Sequence, residues 1–219
     1  MKYKYKKITV IVGHYGCGKT NLAVNMALDM AEQGRVCVVD MDIVNPYFRT
    51  ADFKELFEEK GIDILCPQYA NTNLDIPVLN FDMERIAENY DCVIMDVGGD
   101  DAGAYALGRY RKVLEDYKQD MDMLYVFSMY RSVDSSPEDT VQIMREIEQA
   151  SGMKCTAVVN NSNLGVETNS RTIEKSREFA EKVSKLSKLP LAFECSVSGE
   201  NENTFPVKRM VKMPWENLN

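Results

Sequence analysis

The sequence predicts an α/β protein: three layers, α/β/α, around a mostly parallel central sheet. Two observations carry that expectation. Short apolar runs recur along the chain without polar alternation, as at residues 36–39 and 92–95, the habit of strands buried on both faces of a parallel sheet. Between them lie segments with apolar residues at helical spacing, and such βαβ alternation requires right-handed crossovers that lay helices on both faces. A third observation is a glycine-rich junction after the first strand, which marks the sheet edge where a ligand would gather.

Residues 8–12 (ITVIV) make the first strand. Gly13-His14-Tyr15-Gly16-Cys17-Gly18-Lys19-Thr20 follows and spells G-x-x-x-x-G-K-T, a phosphate-binding loop. Its glycines let consecutive N–H groups face one concavity, Lys19 adds a point charge, and the Thr20 hydroxyl can ligate Mg²⁺. Leu22, Val24, Met26, Ala27, Met30 and Ala31 then recur at helical spacing, so the loop, with Asn21 in the first turn, opens onto a helix N-terminus that favours phosphate. Gly34 is expected to cap that helix, and residues 36–40 make a second strand ending in Asp40-Met41-Asp42. Pro46 suits the first position of a helix whose partial apolar face (Phe48, Ala51, Leu56, Phe57) runs to Gly61. Residues 62–65 form a short strand. Residues 66–80 lack a period and hold two prolines, which predicts a surface loop suited to partner or substrate specificity.

A short helix over residues 81–89 leads into an apolar strand at 92–96 that ends in Asp96. Val97-Gly98-Gly99-Asp100-Asp101 follows, then a helix predicted over 102–117 and a strand at 123–127. Ser136 is an N-cap, Pro137 fits the first helical position, and Glu138 and Asp139 lie in the first turn of a helix to about Ala150. A strand at 156–160, a helix at 172–187 and a last strand at 191–194 complete the alternation. No repeat or linker interrupts it, so residues 1–219 are expected to be one nucleotide-binding domain.

A net charge of −8 argues against a broad nucleic-acid surface, which needs a basic face. The six cysteines are scattered without a C-x-x-C pair and read as reduced thiols of a cytoplasmic protein, several of them apolar fillers in strands. They also offer no close pair for a bridging iron–sulfur cluster. His14 is the only histidine, which excludes a histidine-rich metal site. The basic stretch at residues 2–7 precedes too short an apolar run for a signal or membrane span, and the proline-bracketed, basic residues 206–219 are too short for an interfacial helix, so no membrane role is expected.

Three segments therefore end at one sheet edge: the phosphate loop, Asp40-Met41-Asp42, and Asp96-Val97-Gly98-Gly99. Asp96, at a strand end after apolar residues, is placed to bind through water an Mg²⁺ held by Thr20. Gly98 and Gly99 leave room for a backbone N–H to approach a γ-phosphate. Asp42, beyond its strand end, can orient the attacking water or reach the metal, whereas Asp40 closes the strand in a structural role.

These four signatures, loop, D-x-D, D-x-G-G and the V-V-N strand, resemble the MinD/ParA group of P-loop ATPases (deviant Walker A, SIMIBI class), and G-H-Y-G-C-G-K-T with N-P-Y-F-R resembles a little-characterised bacterial branch of it. The resemblance implies the P-loop NTPase fold, ATP and Mg²⁺ as ligands, and a nucleotide-dependent homodimer read by a further protein. It also implies that His14 stands where the group carries a signature lysine; a mostly neutral imidazole can donate a hydrogen bond but lacks permanent charge. Arg49 is expected to face solvent from its helix, the alternative being that it replaces the missing charge. The resemblance makes Asn160 the base-reading residue, and the sequence Asn160-Asn161-Ser162-Asn163 lacks the acidic residue that pairs with guanine. Two functions remain open: an ATPase with slow hydrolysis acting as a conformational or dimerisation switch, or a biosynthetic enzyme that activates a small carboxylate, as dethiobiotin synthetase and cobyrinate amidases do. Tyr130, Arg131 or the 66–80 loop would line the latter's pocket.

Overall fold

The protein is described by a computed structural model at residues 3–42, 49–66, 81–131, 136–162, 170–197 and 204–211. Its strands are β1 (Ile8–Val12), β2 (Val36–Met41), β3 (Asp63–Leu65), β4 (Cys92–Val97), β5 (Met121–Phe127), β6 (Ala157–Asn160), β7 (Leu191–Ser196) and β8 (Thr204–Pro206). They form one sheet in the order β3-β2-β4-β1-β5-β6-β7-β8, and every pairing is parallel. The helices are α1 (Lys19–Ala31), α2 (Lys54–Glu59), α3 (Met83–Asn89), α4 (Asp101–Gly108), α5 (Arg111–Asp116), α6 (Pro137–Ser151) and α7 (Ser170–Ser187).

The unalternating apolar strands explain the layers. Successive side chains of a strand point to opposite faces, so β1 sends Ile8, Val10 and Val12 into one core and Ile11 into the other. The first core is closed by apolar faces of α3 to α7, among them Ile86, Leu107, Leu114, Met144 and Val183. The second is closed by α1 through Leu22 and Met26, by Phe57 of α2, and by Tyr3, Tyr5 and Val207 from the chain's two ends. The order in which strands are added switches sides at β1, which lies between β4 and β5, and the C-terminal edge of that strand is where the phosphate loop begins.

Several expectations change in detail. The sheet is wholly parallel. β8 extends it by a short strand, bonded to β7 with Cys195 opposite Phe205. The helix expected over 102–117 is two helices: at Gly108 an added Cβ would come 3.0 Å from the Ser151 carbonyl oxygen, so α4 crosses closely against the end of α6 and the chain turns. Tyr110 in that turn stacks on Phe81 and accepts its N–H at 3.1 Å. Gly34 does not cap α1, whose C-cap is Glu32 in a right-handed conformation. Gly34 is instead needed for the approach of Asp91, whose carboxylate would lie 2.8 Å from a Cβ there and accepts the Arg35 N–H. Pro46 and Phe48, and residues 67–80, lie outside the described residues.

Candidate functional site

The phosphate loop leaves β1 at Gly13 and enters α1 through Gly18, whose φ of 86° is left-handed. Gly18 has no alternative: besides the strain, a Cβ would strike the side-chain amide of Asn161. That amide donates to the Cys17 carbonyl at 2.7 Å, so the end of β6 clamps the loop from the side. Cys17 itself is buried in the core beneath. Lys19 is nearly buried and its ammonium donates to the His14 carbonyl at 3.1 Å, spanning the loop it would serve. Gly99 closes the opposite wall, where a Cβ would come 2.7 Å from the Tyr15 nitrogen and 2.8 Å from the Lys19 ammonium. Tyr15 donates its hydroxyl to Asp100 at 3.3 Å, and Asp100 in turn caps α4 by accepting from Gly103 at 2.8 Å. Burial, followed by the charges of Asp100 and Asp42, pushes the Tyr15 phenol up to about 12, so it stays a donor.

The acidic wall comes from β2 and β4, in register with Asp40 opposite Asp96. The two aspartates are treated differently. Asp40 is fully buried and saturated: it pairs with Arg49 at 3.2 Å and accepts from the backbone N–H groups of Asp42 and Ala51. Burial raises its carboxyl pKa, opposed by Arg49 and those bonds. Arg49 is thus not solvent-facing; it pairs with the strand-end aspartate. Asp96 is equally buried, yet its carboxylate makes no well-formed hydrogen bond and has the Thr20 hydroxyl and Lys19 as its favourable polar neighbours. Its pKa is pushed up to about 7 by burial first and by the Asp40 charge, with Lys19 and the Thr20 hydroxyl acting against them. Asp42 abuts the D-x-G-G turn: a Cβ on Gly98 would come 3.3 Å from its Oδ1.

A buried carboxylate without well-formed hydrogen bonds is costly unless another group compensates it. Next to the Thr20 hydroxyl and a lysine, its chemistry fits Mg²⁺. Among the described residues no three His, Cys, Asp or Glu side chains converge on a metal site. Mg²⁺ does not need such a cage, since it takes one or two carboxylates, substrate phosphates and water. His14 also keeps a buried Nδ1 without a partner and borders, with Tyr15, Gly99, Asp101, Ile143 and Glu146, an open cleft of about 340 Å³.

The end of β6 is built otherwise. Asn160 is buried and its amide is engaged internally: Nδ2 reaches Ser176 at 3.3 Å and Glu194 at 3.5 Å, while Oδ1 accepts the Ser162 N–H. Its neighbour Asn161 is the one that reaches the loop. Asn21 holds the chain's C-terminal segment, donating to the Lys208 carbonyl at 3.1 Å and accepting from Met210 at 2.8 Å. Sequence reasoning left Asn161 without a role, and Arg131 only as a pocket lining; Arg131 donates to the Gly16 carbonyl at 2.8 Å. Both lie far along the chain from the loop, and only the β1-β5-β6 order brings them to it. Tyr130 turns away and bonds the Thr172 carbonyl.

No protein-family model and no curated protein matches the chain. Solved structures do. The chain resembles FtsY from Mycoplasma mycoides with a TM-score of 0.57 and 16% identity, over 87% of this chain and 59% of that one. It resembles FtsY from Thermotoga maritima at 0.59 and 16%, over 89% and 65%, and FlhF complexed with GTP/Mg²⁺ at 0.54 and 17%, over 92% and 69%. The chain therefore spans less than two thirds of the FtsY chains. At such identities the likeness shows the fold, which is that of P-loop nucleoside triphosphatases. Among the described residues no helix is long and apolar enough to cross a membrane.

Proposed function

We propose that this chain is a Mg²⁺-dependent ATP-binding switch of the MinD/ParA kind, which hydrolyses its nucleotide slowly and changes its association with a second copy or a further protein. The observation that carries this reading is the buried Asp96 carboxylate, which makes no well-formed hydrogen bond and lies beside Lys19 and the Thr20 hydroxyl at the head of the phosphate loop. Gly13 to Asn21 wrap the phosphates with backbone N–H groups, and Lys19 leaves the His14 carbonyl for them. Thr20 and Asp96 hold Mg²⁺, which neutralises phosphate charge. Asp42 orients the water that attacks the γ-phosphorus, the Gly99 N–H supports the developing charge, and His14 offers an uncharged donor at the lip. Hydrolysis releases phosphate and with it the contacts that hold the bound state.

ATP is preferred to GTP because the stretch after β6 carries amides where a guanine site needs an acidic acceptor. Asn160 frames the base at that strand end. The GTP and GDP bound to some neighbours make GTP the competitor to test. Sedimentation of the protein with Mg²⁺ and ATP, GTP, ADP or a non-hydrolysable ATP analogue, beside a Lys19→Ala control, decides the matter. The expected result is a monomer-to-dimer shift with ATP and its analogue alone, lost in Lys19→Ala. A shift with GTP alone overturns the nucleotide assignment. Nucleotide binding without change of mass removes the homodimer, and turnover stimulated by small carboxylates in place of protein would favour the biosynthetic reading.

A further inference from the structure

Opposite the aspartates, the turn after β5 lays a guanidinium across the middle of the phosphate loop. Arg131 is fixed by its own N–H, which donates to the Ser128 carbonyl at 3.0 Å, and by Nε, which donates to the Gly16 carbonyl at 2.8 Å. The contact is close enough that a Cβ on Gly16 would fall within the guanidinium, and Gly16 has a left-handed φ of 72°. One of the five donors of the side chain is thereby used; the terminal Nη groups keep the rest.

The charge around it is unusual. The chain carries a net charge of −8, and Asp40, Asp42, Asp96, Asp100 and Asp101 all stand on the loop's other side. Arg131 is exposed and forms no ion pair among the described residues. Arg49, the other arginine near the site, is consumed by Asp40. Among the described residues Lys19 is thus the further permanent cation against the loop, and His14 supplies none. An arginine anchored by Nε to a loop carbonyl is pre-positioned to give its outer donors to a phosphate, whose geometry the planar fork matches.

We infer that Arg131 is a phosphate-binding residue of this site, contacting the terminal phosphate of the nucleotide held by the same subunit's loop. The inference rests on the nucleotide reading above. It gives the protein a means of telling triphosphate from diphosphate without a charge at residue 14, since only the longer nucleotide presents a group to the guanidinium.

Fluorescent ATP and ADP are titrated with Mg²⁺ into wild type, Arg131→Ala, Arg131→Lys and Lys19→Ala at a protein concentration where the chain is monomeric. Loss of one charge-assisted contact predicts a fall of roughly 10- to 100-fold in ATP affinity for Arg131→Ala, with ADP affinity within about twofold of wild type. Arg131→Lys should recover part of the loss, and melting temperatures should match because the side chain is exposed. Equal loss for both nucleotides, or none, overturns the inference while Lys19→Ala still reports a working nucleotide site. Failure of wild type to bind either nucleotide brings down both. ATP turnover restored on mixing Arg131→Ala with Lys19→Ala protein would place the guanidinium on a second subunit's nucleotide and overturn the same-subunit contact.

Discussion

The phosphate end of this site and the framework beside it treat some of their buried polar side chains in opposite ways. At the phosphate end, the buried Asp96 carboxylate makes no well-formed hydrogen bond, and His14 keeps a buried Nδ1 without one. In the framework around the loop, the amides of Asn160, Asn161, Asn21 and Asn25 are all engaged by the protein itself. Buried polar groups are satisfied almost everywhere in folded proteins, because stranding one costs about 1–3 kcal/mol. An end that tolerates stranded groups is arranged for something other than stability; an end that satisfies them is part of the framework. Substitutions at the two ends should therefore change the apo protein in opposite directions.

The largest effect is expected at Asp96. Replacement by Asn removes a buried charge and its repulsion from Asp40 and Asp42, so the nucleotide-free protein should become more stable by about 1–3 kcal/mol. For a chain of this length that is a rise of roughly 2–10 °C in melting temperature. The same variant should lose most of the Mg²⁺-dependent gain in nucleotide affinity. Calorimetric melting with and without Mg²⁺ and ATP reads both. A destabilised Asp96→Asn apo protein would show that the carboxylate belongs to the framework, and the contrast between the two ends would fail.

Asn161→Ala should act with the other sign. Its amide is the donor to the Cys17 carbonyl, and Gly18 is shaped around it. Removing it strands that carbonyl and loosens the loop, for an expected loss of about 1–2 kcal/mol in denaturant unfolding. Nucleotide affinity should fall with it, since a loop that must be ordered on binding consumes part of the interaction energy. Unchanged stability would mean that the loop holds its shape without the clamp.

The same division explains what was legible in the sequence. The phosphate end is written in contiguous residues: Gly13 to Thr20 lie together, and Asp96 follows its own apolar strand. The strands themselves were legible because burial on both faces leaves no polar alternation to confuse them. The framework around the loop, with its clamps, is not contiguous. Asn161 and Arg131 reach Cys17 and Gly16 only because β6 and β5 pack beside β1, and no local pattern marks an asparagine or arginine as facing a loop more than a hundred positions earlier. Arg49 was misplaced for a related reason: a charged residue on a helix usually faces solvent, unless a buried aspartate such as Asp40 claims it. The short strand β8 carries a proline and lies at the sheet's edge, so neither length nor period announced it.

The smallest effect, and the one that sharpens the contrast most, belongs to Asn25. Asn21 and Asn25 lie one turn apart on α1, directly after the loop, and together they hold the backbone of residues 208–211. Asn25 donates to the Lys208 carbonyl at 2.9 Å and accepts the Lys208 N–H at 2.8 Å. Yet Asn25→Ala need not strand those groups in the interior, because the segment can lift and bond to water. The expected cost is thus about 1 kcal/mol and local. Hydrogen exchange should quicken at the Lys208, Met210 and Val211 amides while the global melting temperature moves by only a few degrees. Nucleotide added to wild type then asks whether the framework end is blind to the ligand end. Unchanged protection at these amides keeps the two ends separate. Protection that rises with ATP would mean that α1, which begins in the phosphate loop, carries occupancy of the loop to the C-terminal segment through its two asparagines.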